Sequence, residues 1–288
     1  MNKIALKSFG GYFCIILILA AVCFLTTFPL FTRFDSVIPG FMSTDESYNV
    51  IWDNWRIKHA FSHKLSFGDT DLIAYPFGGK TYASGVVAFS WLIWTYFLSL
   101  ILSPAASYNL QVVLNMLLMA VGMFILVSYL TRSKGIGIFS GIIFGFCPYQ
   151  FARSWQHLSL TYNQWIVFII LSALLLKEKP SRVSAQVFFL SVFLALSFDF
   201  SIMYMSFISL LLFFIYVIFY GWRKKSFKLS SFSADTPYFK KSLLAVLLAV
   251  IILSPQFILI LKNAVGLSSA LPASAHNLYH RPFEDLFS

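Results

Sequence analysis

The chain has 288 residues, of which 59% are hydrophobic and 11% are charged, and its formal net charge is +10. Soluble domains carry about 25% charged residues, so this composition excludes a water-soluble globule and a disordered chain. The basic residues lie in short runs beside long apolar blocks, which is typical of membrane proteins and not of nucleic-acid-binding ones. Three cysteines without C-x-x-C spacing indicate neither a disulfide framework nor a zinc knuckle. We therefore predict a protein that contacts membrane lipid and binds no nucleic acid.

Eight apolar blocks follow one another along the chain. Each is predicted to be an α-helix, because the backbone polar groups of a segment inside a bilayer must be hydrogen-bonded within that segment. Together they predict an all-α membrane protein, built as a polytopic helical bundle. The blocks are 10–31, 84–103, 108–130, 135–149, 160–176, 184–199, 202–221 and 242–262.

The positions of the basic residues decide how many blocks cross the membrane. With a cytoplasmic N-terminus and no crossing by 84–103, the cytoplasmic segments are 1–9, 131–134, 177–183 and 222–241. They hold 13 of the 21 basic residues and 2 of the 11 acidic ones. A crossing by 84–103 would move the last three segments outside, against the positive-inside rule. We therefore predict about seven transmembrane helices in the cytoplasmic (inner) membrane.

This topology makes 1–288 a single transmembrane domain with a long outer loop, 32–107. Block 84–103 would be re-entrant or would lie along the outer interface, and the alternative is an ordinary eighth span. Residues 263–288 would begin a further outer segment of a longer protein. The aromatic residues of 84–103 that suit an interfacial belt are Trp91, Trp94, Tyr96 and Phe97.

The first part of the outer loop, 43–60, has the spacing of an amphipathic helix. A helix with aromatic side chains on one face is predicted to lie on the membrane surface. The residues that share this face are Tyr48, Ile51, Trp52, Trp55 and His59.

Two acidic residues, Asp45 and Glu46, begin this helix. Ser43 and Glu46 fit a capping box, and acidic side chains are favourable at the positive end of the helix dipole. Alternatively, Asp45 is a general base whose pKa is tuned by its place beside the membrane. The two interpretations are compatible if Glu46 caps the helix and Asp45 points into a site.

Further along the loop, Asp69-Thr70-Asp71 forms a D-x-D triplet, which binds a metal in soluble sugar-nucleotide transferases. Alone it is a weak signal, and after Gly68 it favours a turn. His59 and His63 have the spacing of metal ligands but lack the glutamate of an H-E-x-x-H motif, so we discount a zinc site. No cofactor is predicted with certainty, and a divalent metal remains possible.

The second outer segment, 150–159, carries Arg153 and His157 at i, i+4 spacing. On one helix face they would bind a phosphate, with Arg153 donating through its guanidinium fork. The alternative is interfacial anchoring by Arg153. Asp199, at the 199–201 turn, is an acid at the membrane edge that is either functional or the end of a helix.

Block 135–149 contains a doubled small-xxx-small pattern, Gly137, Gly141 and Gly145. This pattern allows a neighbouring helix to approach closely, and we interpret it as packing. Pro148 is predicted to end the helix, because proline breaks the hydrogen-bond ladder.

These features together resemble the bacterial membrane glycosyltransferases of the GT-C superfamily, near the protein mannosyltransferases and the lipid A aminoarabinose transferases. The resemblance covers most of 10–200 and consists of many weak matches. It rests on the acid after the first span, the Trp-rich amphipathic helix, and the motifs Tyr75-Pro76-Phe77-Gly78, Ala106-Ser107-Tyr108-Asn109-Leu110, Ser128-Tyr129-Leu130-Thr131-Arg132-Ser133, Gly141 through Pro148-Tyr149, and Gln156-His157-Leu158.

The resemblance implies an inverting transferase that moves a sugar from a polyprenyl-phosphate donor to a glycan, lipid or protein acceptor on the outer face. Asp45 matches the family's first-loop acid, the base on the acceptor hydroxyl. Two departures are that 150–159 lacks a second acid, for which Asp199 would substitute, and that relatives continue beyond Ser288. The candidates implied are catalytic Asp45 and Glu46, and substrate-binding Arg153, His157, Gln156, Asp199 and Tyr75.

Two other functions stay open at this stage. A transporter or flippase of lipid-linked sugars would carry broken helices and polar groups at mid-membrane depth, and the spans hold almost no charge there. An inactive, truncated membrane protein is the third possibility.

Overall fold

The computed structural model describes residues 3–40, 45–65, 69–70, 72, 79–80, 89–178, 181–199, 202–208, 211–212, 215 and 244–258. These residues are helical, apart from connecting turns and two paired strands, β1 (Asp69–Thr70) and β2 (Gly79–Lys80). The helices are α1 (Lys3–Phe31), α2 (Asp45–His63), α3 (Phe89–Ile101), α4 (Pro104–Thr131), α5 (Lys134–Gly145), α6 (Pro148–Gln156), α7 (Gln164–Glu178) and α8 (Arg182–Phe198), with a 3₁₀ turn at Leu158–Thr161 and further helix at 202–208 and Leu244–Ile258.

Among the described residues, four helical segments are long and apolar enough to cross a membrane: Gly11–Phe31, Pro104–Thr131, Lys134–Gln156 and Leu158–Leu176. The protein is therefore an all-α membrane protein, as predicted. Seven crossings stay a prediction, because the other apolar helices are shorter. They are Phe89–Ile101, Arg182–Phe198 and Leu244–Ile258.

Helix α4 is the centre of the bundle and packs against α1, α5 and α7. It begins at a strong signal, because the Ser103 hydroxyl accepts a hydrogen bond from the backbone N–H of Ala106 and Pro104 occupies the first turn. It ends where Arg132 takes a left-handed conformation, with φ 59°. Its second half is almost wholly apolar, whereas its first half carries several buried polar side chains.

The three glycines of α5 lie against α4, which confirms the packing interpretation. A Cβ atom at Gly141 would be 2.6 Å from the carbonyl oxygen of Ala120, and one at Gly145 would meet Ala120 as well. Only glycine allows this approach, since real Cβ contacts are longer. The prediction for Pro148 was wrong: α5 ends at Gly145, and Pro148 begins α6. Proline suits that first position because its fixed φ is helical and its missing N–H has no intrahelical partner there.

One end of the bundle, which we call the basic end, holds the connection 131–134, the end of α7 at Glu178 and the start of α8 at Arg182. Helix α1 starts here, since the Lys134 ammonium lies 4.4 Å from the ring centroid of Tyr12. Helix α7 runs parallel to α4: Gln164 at its start is hydrogen-bonded to Asn115, and Val167, further along α7, lies beside Gly122, further along α4. Helix α7 therefore also ends at the basic end.

The opposite end, which we call the loop end, gathers the outer-loop helices around the start of α4. The Asn109 amide donates to the carbonyl oxygens of Phe34 and Val37 at 2.7 and 2.6 Å, which fastens the chain that leaves α1. Ser90 of α3 is hydrogen-bonded to Ser197 near the end of α8. Among the described residues, the chain that leaves α1, the start of α3, the start of α4 and the end of α8 therefore lie at one end of the bundle.

Helix α3 is the described part of the disputed block 84–103. Its 13 residues are about 20 Å long, shorter than a hydrocarbon core of about 30 Å. Trp91 is buried and its indole N–H donates to the Gln111 side chain at 3.0 Å. The assignment of Trp91 to an interfacial belt was therefore wrong, although Phe97 of the same helix is exposed.

Candidate functional site

Helix α2 presents its aromatic residues outward and small or polar residues inward. Tyr48 and Trp55 are exposed, and the Trp55 and His59 rings stack with centroids 4.9 Å apart. This is the aromatic face expected from the sequence, except that Ile51 packs against the core. The buried residues of the helix are Ser47, Asn54, Arg56, Ile57 and Ala60.

The beginning of α2 is hydrogen-bonded to the end of α6. The Ser47 hydroxyl donates to the carbonyl oxygen of Trp155 at 3.1 Å and lies 3.2 Å from the Tyr108 hydroxyl. Tyr108 donates to the carbonyl oxygen of Ser154 at 2.8 Å. The carbonyls in the last turn of a helix have no partner within it, so these two hydroxyls cap α6.

This junction brings the two predicted site segments together. Asp45 and Glu46 precede Ser47 in the first turn of α2, while Gln156 and His157 directly follow Trp155. The side chains of Asp45 and Glu46 lie outside the described part of the structure, as do Ser43 and Tyr75. Their approach to substrate, and the proposed capping box, therefore stay predictions.

Arg153 and His157 lie on the last turn of α6. The His157 backbone N–H donates to the Arg153 carbonyl oxygen at 2.7 Å, so the helical spacing between the two residues is preserved. The Arg153 guanidinium lies 5.9 Å from the ring centroid of Tyr149, one turn earlier on α6. Such a stacked guanidinium keeps its donors at the ring edge available, and suits both interpretations given for the sequence.

Asp199 has a clear structural role. Its carboxylate accepts a hydrogen bond from the backbone N–H of Ile202 at 3.2 Å, and its carbonyl accepts from Met203. Asp199 is thus the N-terminal cap of the helix at 202–208, which is the second of the two interpretations of this acid. Its neighbour Phe198 packs on the Tyr162 ring, so Asp199 lies at the loop end.

The first half of α4 carries a set of buried amides that were not predicted from the sequence. The Gln111 side-chain oxygen accepts hydrogen bonds from Trp91 and from Tyr162, at 3.0 and 3.1 Å. Asn115 donates to Thr161 and accepts from Gln164. The available signal was the i, i+4 spacing of two amides in a long apolar helix, since polar residues inside membranes bond to neighbouring helices.

A buried ion pair on α2 was also missed. Both the Nε and the NH2 group of Arg56 donate to one oxygen of Asp53, at 3.0 and 2.9 Å, and the guanidinium lies over the Trp52 ring. Burial raises the pKa of Asp53 above its ordinary value, and the neighbouring Arg56 opposes this rise without cancelling it. The ion pair lies within α2 and gives the Arg56 guanidinium, which is largely withdrawn from solvent, a partner of opposite charge.

Neither metal motif becomes a metal site among the described residues. The His59 and His63 rings are 4.2 Å apart, and His63 is hydrogen-bonded to the His59 carbonyl. No group of three His, Cys, Asp or Glu side chains in the described ranges is placed to bind an ion. The D-x-D triplet begins in β1, where the backbone of Asp69 is opposite that of Lys80 in β2. Asp71 lies outside the described residues.

Comparison of the chain with protein-family models, with curated proteins and with solved structures finds no match. The resemblance to the GT-C glycosyltransferases therefore stays a prediction, and a function has to be argued from the geometry above.

Proposed function

We propose that the protein is a membrane glycosyltransferase that moves a sugar from a polyprenyl-phosphate donor to an acceptor on the outer face of the cytoplasmic membrane, with inversion at the anomeric carbon. The observation that carries this proposal is the Ser47–Trp155 hydrogen bond, which joins the acid-bearing start of α2 to the Arg153- and His157-bearing end of α6.

The orientation follows from charge. The basic end carries Arg132, Lys134 and Arg182, and positively charged connections stay in the cytoplasm. The N-terminus is then cytoplasmic as well, and the loop end faces outward. There the exposed aromatic face of α2 suits the headgroup region, where Trp and Tyr are enriched.

In the proposed reaction, the Asp45 carboxylate takes the proton from the acceptor hydroxyl. The acceptor oxygen forms a bond to the anomeric carbon as the bond from that carbon to the phosphate oxygen breaks. The lipid phosphate leaves with the electron pair, and Arg153 and His157 donate hydrogen bonds to its developing charge. Glu46 would cap α2, and Gln156 and Tyr75 would contact the substrate. A divalent metal at the phosphate would add to this stabilisation.

The test is sugar transfer from a radiolabelled polyprenyl-phosphate sugar, with the protein embedded in membranes. Asp45→Asn is expected to lower the rate at least a hundredfold, since general-base catalysis contributes about 10²–10⁴-fold. Asp35→Asn is the matched control, because Asp35 is an exposed acid at the same end whose described contact is made by its backbone carbonyl. Equal rates for the wild type and Asp45→Asn would refute the proposal.

The break between α5 and α6 favours one alternative, a lipid-linked sugar transporter. Gly145 lies beside Ala120, near the middle of α4, so the turn at 146–147 interrupts the segment Lys134–Gln156 at mid-bundle depth. Interrupted helices at such a depth form the substrate sites of many transporters. Movement of the lipid-linked sugar across vesicles without covalent transfer would support this alternative.

A further inference from the structure

Helix α6 carries one polar face, and this face is turned into the protein. Residues spaced three and four apart lie on one side of a helix. On α6 this side holds Gln150, Arg153 and Ser154, and His157 follows in register. The residues between them, such as Tyr149 and Trp155, are exposed. Helix α6 is the last part of the candidate span Lys134–Gln156, and a helix inside a membrane turns its polar side toward the protein, where polar groups find partners.

Two oxygen atoms on this face are buried without a partner. Gln150 is 1% exposed and Ser154 is fully buried. The Gln150 side-chain oxygen and the Ser154 hydroxyl oxygen have no hydrogen-bond partner among the residues that the structure describes. An unmatched buried polar atom is unfavourable, and the great majority of such atoms are paired in folded proteins. Eleven buried side-chain atoms of the described residues lack a partner, and these two are the pair that lies one turn apart on the helix that carries Arg153. We take this pair as the place for a group that supplies hydrogen bonds.

The chemistry of the two atoms selects the ligand. An amide oxygen only accepts hydrogen bonds, and a serine hydroxyl both donates and accepts. Their partner must therefore carry at least one donor, and the hydroxyl groups of a sugar, which both donate and accept, match both atoms. A phosphate suits the neighbouring Arg153 instead, because a guanidinium fork matches phosphate oxygens. Residues three and four apart on a helix have Cβ atoms about 5–6 Å from each other. A sugar at Gln150 and a phosphate at Arg153 would therefore be adjacent.

We propose that Gln150 and Ser154 form a sugar-hydroxyl subsite on the inner face of α6, next to the phosphate-binding Arg153. This inference rests on the proposed function, since it assigns the sugar of a glycosyl-phosphate donor to Gln150 and Ser154 and the phosphate of the same donor to Arg153. It also explains why Tyr108 and Ser47 hold the end of α6: they position the subsite close to the start of α2.

The binding test uses the purified chain in lauryldimethylamine oxide, a detergent without sugar. The probes are the methyl glycosides of glucose, galactose, mannose and arabinose, and methyl phosphate, titrated by saturation-transfer NMR. Gln150→Leu is expected to weaken the best glycoside about tenfold, the loss of roughly one hydrogen bond, and to leave methyl phosphate unchanged. Arg153→Gln is expected to do the reverse. If no glycoside binds, or if Gln150→Leu binds as well as the wild type, the subsite is refuted.

Thermal unfolding separates a ligand-binding residue from a structural one. Removing an unpaired buried oxygen is expected to raise the melting temperature of the ligand-free protein, by about 2–4 °C for a stabilisation of about 1 kcal/mol. Gln111→Leu is the matched control: its oxygen accepts from Trp91 and Tyr162, so the melting temperature should fall. A fall for Gln150→Leu equal to that of Gln111→Leu would make Gln150 structural and overturn the proposal.

The transfer assay distinguishes failure of the subsite from failure of the enzyme proposal. Sugar binding that depends on Gln150, without transfer by the wild type, would retain the subsite and refute the transferase. Transfer that depends on Asp45 but not on Gln150 would retain the transferase and refute the subsite.

Discussion

Replacement of Gly141 by alanine tests the α4–α5 contact on which the bundle depends. The added Cβ would lie 2.6 Å from the Ala120 carbonyl oxygen and 3.2 Å from Cβ of Phe124. The first neighbour is backbone, so a whole helix must move to make room. Overpacking of this kind costs about 1–3 kcal/mol. A glycine-to-alanine change within a helix gains about 0.5–1 kcal/mol, so the net expectation is a loss of up to about 2 kcal/mol.

Gly135→Ala separates the two effects. Gly135 lies on the same helix, and the nearest atom to its added Cβ is the Ser133 hydroxyl oxygen at 3.9 Å. The helix-propensity gain largely cancels in the comparison, and the difference between the variants reports the steric cost. Both are unfolded by sodium dodecyl sulfate in mixed micelles and followed by far-ultraviolet circular dichroism. Equal stabilities for the two variants would refute the close packing of α5 on α4.

Three further predictions concern the loop end. Tyr108→Phe removes the hydroxyl that donates to Ser154 and should cost about 1 kcal/mol of unfolding free energy, measured in the same assay. Asp53→Ala removes the carboxylate that accepts from Arg56, whose side chain is only 9% exposed, and should cost about 1–3 kcal/mol. Asp53→Asn tests pH dependence: burial raises the pKa of Asp53, so its contribution is fullest at low pH and is lost as the pH rises through the folded-state pKa. The stability of Asp53→Asn relative to the wild type should therefore increase as the pH rises above the ordinary aspartate pKa of 3.8, and a constant difference would contradict the raised pKa.

The sequence predicts those parts of the fold that have a local physical signal. The i, i+4 aromatics of α2 and the spaced glycines of α5 are patterns of single helices, and both are confirmed. The connection 131–134 and the adjoining ends of α7 and α8 were expected at one end from charge, because the positive-inside rule constrains the connections of every helix at once.

What the sequence does not predict depends on contacts between distant segments. The only sequence signal for the turn at 146–147 that we used is Pro148. It does not say on which side of the proline the break lies, because proline both ends helices and begins them. The inward direction of the polar face of α6 depends on how α6 packs, and only the buried position of Gln150 reveals it. The partners of Gln111 come from α3 and from the turn before α7, so their approach is decided by tertiary packing.

The central claim is that α2 and the end of α6 face the outside of the cell while the basic end faces the cytoplasm. Cysteine labelling in intact cells tests it most directly, in a background where Cys14, Cys23 and Cys147 are replaced by alanine and transfer activity is retained. The exposed positions Lys58 and Arg182 are each changed to cysteine and treated with a membrane-impermeant maleimide. The account predicts that Lys58→Cys is labelled in intact cells and that Arg182→Cys is labelled only after the cells are opened. Labelling of Arg182→Cys in intact cells, or protection of Lys58→Cys, would contradict it.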